Sequence, residues 1–227
     1  MASLGIRRGV TFAASTSEPG VLSCQGSLRG TGVTGGGSLC RDAGSEKPRR
    51  GAVFLDRDGV LNQDKGFVWQ IAEFKWMQGA REAIKFLNEF NLFVFVVTNQ
   101  SGVARGYFTE RDVVNLHRWM AQELEKDGAH IDAFRYCPHH KEAVSPQYRK
   151  ACECRKPEPG MILELLDTWP VDRERSVLIG DRPSDFEAAQ RAGIKAFAFN
   201  GGNLAEFVRK VLGSSALWPL QTRDADT

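Results

Sequence analysis

Residues 51–62, GAVFLDRDGVLN, decide the fold. Ala52 to Leu55 is a short, uninterrupted apolar run, the pattern of a strand covered on both faces, as in a parallel sheet. The run gives way to Asp56, Asp58 and Gly59. Carboxylates two residues apart in extended geometry point the same way, and the glycine lets backbone come close to a ligand. Such a pair repels unless a cation lies between its members.

Working outward, LFVFVV at 92–97 runs into TNQSG at 98–102, and SVLI at 176–179 runs into GDRPSD at 180–185. Helical patterns separate these runs. In GAREAIKFLNEF, Ala80, Ala83, Ile84, Leu87 and Phe90 recur at helical spacing. Further on, Thr109 and Asp112 form a capping pair, Leu116, Met120 and Leu124 make a stripe, and Gly128 is the stop. A third helix spans about Met161 to Trp169, before Pro170. A fourth starts with Ser184 and Glu187 at capping-box spacing and ends at Gly193. The order βαβαβαβ predicts an α/β fold, a doubly wound, Rossmann-like parallel sheet with right-handed crossovers and a site at the carboxyl ends of its strands. Asp56, Thr98 and Asp181 fall on that rim.

The chain has 227 residues, 42% of them hydrophobic, enough for one globular domain with a real core. Thirty basic against 28 acidic residues leave a net charge of +2, which points to neither nucleic acid nor an anionic membrane. Leu92 to Val97 is far short of the roughly 20 apolar residues of a membrane helix. Residues 1–50 are rich in Gly, Ser and Thr and lack periodicity, so a disordered leader is expected before a domain at 51–212 and a tail at 213–227. The opening MASLGIRRGVTFAASTS resembles a transit peptide, with a dispensable extension or a misplaced start as alternatives. The cysteine pattern suits a reducing compartment rather than a disulfide scaffold, and a cytoplasmic monomer is expected.

The rim carries groups for phosphate chemistry. Asp56, Asp58 and Asp181 make a hard oxygen set suited to Mg²⁺, and Asp56 can attack phosphorus. Thr98 and the amides of Asn99, Gln100 and Ser101 can bond phosphoryl oxygens, while Lys156 supplies a point charge. Asp58 can protonate the leaving oxygen and then activate water. A lone D-x-D is more often a turn, a lone Thr98 a strand-end hydroxyl, and Asp181 and Asp185 ordinary N-terminal helix charges. Their joint occurrence at three strand ends favours a magnesium-dependent phosphatase.

Cys137, His139, Cys152 and Cys154 form C-x-H, a gap of 12 residues and C-x-C, a tetrahedral thiolate and imidazole set suited to structural Zn²⁺. His140 is the competing imidazole; His139 is preferred because C-x-H mirrors C-x-C. Free loop cysteines are the bland alternative. A clamp at Cys154 would fix Arg155 and Lys156 at the mouth of the site. His117 and His130 have no partner pattern and are read as surface or helix residues.

DRDGVLN, VVTNQSGVARG, CPHH followed by C-x-C-R-K-P, and GD-x-x-x-D resemble the haloacid-dehalogenase (HAD) superfamily, from about Ala52 to Val208. Within it the motifs are similar to the heptose 1,7-bisphosphate 7-phosphatase subgroup, close to the histidinol-phosphatases. The resemblance implies Asp56 as nucleophile and Asp58 as acid/base, with Mg²⁺ on Asp56, the Asp58 carbonyl and Asp181, and with Asp185 behind them. It also implies phosphoryl stabilisation by Thr98 and Lys156. Substrate contacts would come from Asp64, Lys65, Gly66 and Phe67, from Thr98 to Ser101, and from Arg155 and Arg182. Arg155 would take a second phosphate. The implied reaction removes the 7-phosphate on the route to nucleotide-activated heptose of lipopolysaccharide or surface glycans.

The loop QDKGFVWQ at 63–70 departs from the subgroup, which commonly has Tyr and then Val-His-Glu. Some 40 residues separate Asp56 from Thr98, too few for a large cap domain. Histidinol-phosphate phosphatase is the nearest alternative, disfavoured by Arg155, since a cationic substrate amine would not seek an arginine. A decayed, zinc-stabilised interaction module and a nucleic-acid 3′-phosphatase are the readings from other classes. Intact acids oppose the first, and slight basic excess the second.

Overall fold

The computed structural model describes residues 11–14 and 48–214. Its centre is a six-stranded sheet of β1 (Thr11–Ala14), β2 (Ala52–Leu55), β3 (Phe93–Asn99), β4 (Ala133–Cys137), β5 (Val177–Gly180) and β6 (Lys195–Ala198). The strands lie in the order β1-β4-β3-β2-β5-β6, and every pairing is parallel. The chain steps outward from β2 to β3 and β4 on one side, and to β5 and β6 on the other. A ligand crevice belongs at such a reversal, beyond the carboxyl ends of the strands.

Helices α1 (Ala80–Glu89), α2 (Glu110–Lys126), α3 (Gly160–Thr168), α4 (Pro183–Ala192) and α5 (Leu204–Ser214) cover both faces. The pleat of β2 sorts the layers: Val53 and Leu55 join one core with Ile84, Leu87, Leu116, Met120 and Val208. Ala52 and Phe54 join the other with Met161, Leu165, Ala188 and Ala192. Each residue of β2 is buried, which is why its run is apolar without alternation.

The predicted helices form near their predicted limits. Thr109 and Asp112 close a capping box on α2, the Asp112 amide donating to Thr109 Oγ1 and the Thr109 amide to Asp112 Oδ2. On α4 the capping partners differ from Ser184 and Glu187. The Arg182 amide donates to Asp185 Oδ2 at 3.1 Å, Pro183 occupies the first turn, and Gly193 ends the helix with φ of 71°. Between Asp56 and Thr98 stand only the short 3-10 turn Ile71–Glu73 and α1, so no large cap is present there.

Four elements were not read from the residues. β4 is buried throughout, but Arg135 interrupts its apolar run; the arginine is satisfied by Glu164 of α3 at 2.8 Å. β6 lies beyond β5 at the edge of the sheet; its apolar run, AFAF at 196–199, is short, and Lys195 and Ala198 at its ends are exposed. α5 packs on α1 and runs to Ser214, past the expected boundary at 212. The expectation of a wholly disordered leader fails at Thr11–Ala14, which pairs with β4 from Thr11↔Ala133 to Ala14↔Tyr136. The other expectations for the leader and tail lie outside the described residues. Among the described residues no helix is long and apolar enough to cross a membrane.

Candidate active site

The three central strands, β3, β2 and β5, deliver the predicted acids and hydroxyl to one rim. Asp56 follows β2 and is buried; its Oδ1 accepts from the Arg57 amide at 2.8 Å and lies 3.0 Å from Lys156 Nζ. Lys156 Nζ also reaches Asp185 Oδ1 at 2.6 Å and donates to the Val97 carbonyl at 2.8 Å. Burial raises Asp56 to about 6, against the pull of Lys156 and with a further push from Asp185 and Asp58. Burial alone would lower Lys156, but Asp56 and Asp185 outweigh it and hold the ammonium above its usual range.

Asn99 locks that lysine from behind. Its Nδ2 donates to the Lys156 carbonyl at 2.9 Å and its Oδ1 accepts from the Lys156 amide at 3.0 Å. Gln100 Nε2 donates to Thr98 Oγ1 and to Asp58 Oδ2, both at 2.9 Å. The side chains of Asn99 and Gln100, read from sequence as members of an amide-rich turn, thus position Lys156, Thr98 and Asp58.

Asp58 accepts from Arg57 Nη2 at 3.0 and 2.8 Å and from Asn62 Nδ2 at 3.0 Å. Burial would raise its pKa, but Arg57 and these donors keep it below the usual carboxylate value. The Asp58 carboxylate is therefore committed to protein donors, and the three carboxylates that converge within 4.8 Å are Asp56, Asp181 and Asp185. Burial, with help from Asp185, raises Asp181, whose Oδ1 is buried without a hydrogen-bond partner. An acceptor left bare among other carboxylates is the environment a hard cation satisfies.

Gly59 has φ of 90°, and a Cβ there would overlap Asp181 Oδ2. Gly59→Ala is accordingly expected to cost on the order of 1–3 kcal/mol through backbone strain, and to lower kcat more than tenfold by displacing Asp181. Denaturant unfolding and steady-state kinetics on the purified variant check both effects; an unchanged kcat would refute the close fit.

Asp56, Asp58, Thr98, Asn99, Gln100, Lys156 and Asp185 line a cavity of about 620 Å³ together with Asp64, Gly66, Phe67, Ser101, Arg105, His140, Arg155, Arg182 and Ser184. Asp64 Oδ2 meets Arg182 Nη2 at 2.6 Å, so two expected substrate contacts pair with each other across the mouth. Phe67, at φ of 55°, stands 44% exposed and meets Tyr107 edge-on at 4.9 Å. Lys65 is exposed and lies outside the lining. Arg105 was not expected in the site, and His140 only as the competing zinc ligand; the doubled histidine of CPHH was the available signal. Burial, then Arg155 and Arg105, lower the pKa of His140, which shares a cationic part of the cavity lining with both arginines.

Cys137, at the end of β4, comes together with His139, Cys152 and Cys154, their ligand atoms all within 4.8 Å. The sulfurs are 3.2 to 3.6 Å apart, and His139 Nδ1 is 3.3 Å from Cys154 and 3.6 Å from Cys137. These are close to the edge, about 3.8 Å, of a tetrahedron with 2.3 Å bonds. Hydrogen bonding to Cys152 pushes the Cys137 thiol up to about 12 and Cys154 is raised by both neighbours, while their hydrogen bonds lower Cys152. His139 is buried in the cluster, whereas His140 accepts from the Glu142 amide and faces the cavity. Arg155 Nη1 donates to the His139 carbonyl at 3.2 Å, tying the loop to the mouth. His117 is a helix residue, on α2, rather than a surface one, and is fully buried.

A mononucleotide-type sheet with an Asp-x-Asp strand end, a strand-end threonine, a buried lysine and a carboxylate cluster defines a HAD-like hydrolase, and residues 153–207 match the HAD-hydrolase-like family model. The chain is 55% identical over 165 residues to the D-glycero-beta-D-manno-heptose-1,7-bisphosphate 7-phosphatase of Rhodopseudomonas palustris, covering 73% of this chain and 92% of that one. To the protein of the same name from Vibrio cholerae it is 43% identical over 143 residues, 63% of this chain and 77% of the other. The structure of D,D-heptose 1,7-bisphosphate phosphatase from B. bronchiseptica, complexed with magnesium and phosphate, superposes with a TM-score of 0.61 at 34% identity, covering 76% and 90% of the two chains. The chain belongs to the family of D-glycero-beta-D-manno-heptose-1,7-bisphosphate 7-phosphatases.

Proposed function

We infer that the protein hydrolyses the 7-phosphate of D-glycero-D-manno-heptose 1,7-bisphosphate through an aspartyl-phosphate on Asp56. The observation that carries this is the convergence of Asp56, Thr98, Lys156 and the Asp181 cluster on one rim, beside a cationic part of the cavity lining, in a chain 55% identical to an enzyme of that name.

Asp56 attacks phosphorus with its other oxygen while the Arg57 amide and Lys156 hold Oδ1. Lys156 and Thr98 bind the transferring phosphoryl oxygens, and Gln100 holds the Thr98 hydroxyl in place. Arg57, Asn62 and Gln100 hold Asp58 as the carboxylate, so it must take up a proton as substrate binds; it gives that proton to the leaving sugar oxygen and takes one back from the water that opens the acyl phosphate. Arg155, with Arg105 and His140, binds the phosphate that is retained. Asp64, Phe67 and Arg182 border the sugar. Mg²⁺, held by Asp56, the Asp58 carbonyl and Asp181, would neutralise phosphate charge. Zn²⁺ on Cys137, His139, Cys152 and Cys154 would brace the loop that carries Arg155 and Lys156.

Uncatalysed phosphate-monoester hydrolysis calls for accelerations up to about 10²¹-fold, so nucleophile, acid and electrostatic clamp are needed together. Phosphate release from heptose 1,7-bisphosphate is expected to exceed that from heptose 7-phosphate and from histidinol phosphate, by about 100-fold or more in kcat/KM, because only the bisphosphate fills the cationic part of the cavity. Equal or faster turnover of histidinol phosphate would refute the substrate assignment.

A further inference from the structure

Arg57 has its largest structural role outside the mechanism above. It is the largest fully buried side chain of the described residues, although it sits between the two catalytic aspartates. Its Nη2 donates to both Asp58 oxygens, at 3.0 and 2.8 Å, and to the Val68 carbonyl at 2.6 Å. Its Nη1 lies 3.5 Å from Nε2 of His117. Arginine carries only donors, so His117 Nε2 is the acceptor and the ring is the Nδ1–H tautomer. Burial and the guanidinium hold that imidazole neutral. The ring is stacked on Phe134, with centroids 4.7 Å apart at 21°, and meets Tyr136 edge-on at 6.0 Å. His117 thus stands as a rigid post on α2, and Arg57 as a strut from that post to Asp58 and to the loop bearing Phe67.

A guanidinium withdrawn from water is costly unless it is paired and its donors are used. Arg57 has three partners, each on a different part of the site: the acid/base, the loop that borders the cavity, and the helix beneath; its Nε is buried without a hydrogen-bond partner. Asn62 and Gln100 fix the Asp58 carboxylate from other sides.

We propose that Arg57 and His117 are positioning residues that together fix the Asp58 carboxylate and the 63–69 loop relative to the phosphoryl site, His117 by orienting the guanidinium. This rests on Asp58 acting as acid/base in the reading above. Displacing a reacting group by about 1 Å costs on the order of 100-fold in rate. Removing the strut should therefore appear in kcat, with the binding contacts of Arg155 left in place.

The test uses the full-length protein with heptose 1,7-bisphosphate and with p-nitrophenyl phosphate, which shares the chemistry at Asp56 and Asp58 but not the sugar contacts. Arg57→Met is expected to lower kcat about 100-fold on both, and His117→Phe, which keeps the stack on Phe134 but offers no acceptor, about tenfold, with KM nearly unchanged. His117→Gln, which retains an acceptor, should recover most of the loss. Full activity of His117→Phe and Arg57→Met, or loss of activity that tracks loss of melting temperature equally in His117→Phe and His117→Gln, overturns the proposal. Turnover of p-nitrophenyl phosphate alone by the wild type would count against the sugar assignment only. If the wild type hydrolyses neither ester, that reading falls and crystal structures decide this one. An Asp58 carboxylate swung away from Gln100 in Arg57→Met supports the strut, and an unmoved carboxylate overturns it.

Discussion

Replacing Asp56 by Asn is expected to lower phosphate release by about 10⁴- to 10⁶-fold, the scale on which loss of a nucleophile is felt. The amide has nearly the shape of the carboxylate and can still accept from the Arg57 amide, so the fold should survive. Lys156 loses one of two anionic partners but keeps Asp185 at 2.6 Å. Stability should change by no more than about 2 kcal/mol, within the ordinary range for single substitutions. The measurement is phosphate release by wild type and variant, with acid-quenched label on the protein as a second readout. Undiminished release by Asp56→Asn would end the aspartyl-phosphate mechanism. Asp58→Asn should differ, slowing turnover about 10²- to 10⁴-fold as loss of an acid/base does.

Cys152→Ser is expected to remove one equivalent of zinc and to lower the melting temperature by roughly 10 °C, corresponding to about 3–5 kcal/mol in a chain of this size. The reason lies in the cluster itself. Cys137 and Cys154 are buried, and His139 is fixed against them, so removing one thiolate leaves a tetrahedral set short of a ligand around partners that cannot reach water. Turnover should fall as well, because Arg155 is tied to the His139 carbonyl and Lys156 follows it directly. Metal analysis and calorimetry on both proteins check this. Equal zinc content in wild type and variant would show that the four residues do not form a metal site. Asp58→Asn is the control: it should retain zinc and melt nearly as wild type.

AVFL, LFVFVV and SVLI were legible as buried parallel strands because each is covered on both faces, and that condition is written in an unbroken apolar run. Helices α1 to α4 were legible because their apolar spacing and stops are local, as with Thr109 and Gly128 around α2. β4 was not, since Arg135 breaks its run and is acceptable only because Glu164 of α3 meets it. The cap of α4 was misread for a related reason. Ser184 and Glu187 have capping spacing, but the cap lies two residues earlier, at Arg182 and Asp185 with Pro183 in the first turn, and Asp185 serves both the Arg182 amide and Lys156.

The chemical types in the site, their order along the chain and their placement after apolar runs were determined by the sequence alone. So were the four candidate zinc ligands, because short spacing brings C-x-H and C-x-C ends together with little choice of geometry. What the tertiary structure decided was pairing. It chose His139 over His140, turned Asp58 toward Arg57 and put Asp185 beside Asp56 and Asp181. It also joined Asp64 to Arg182 across 118 positions, buried His117 under the active site, and brought Arg105 and His140 to the cationic part of the cavity. A side chain's chemistry is local and can be read in place. Its charge state and its partner depend on which distant groups share its small volume after water has been excluded, and only the packed sheet and helices set that.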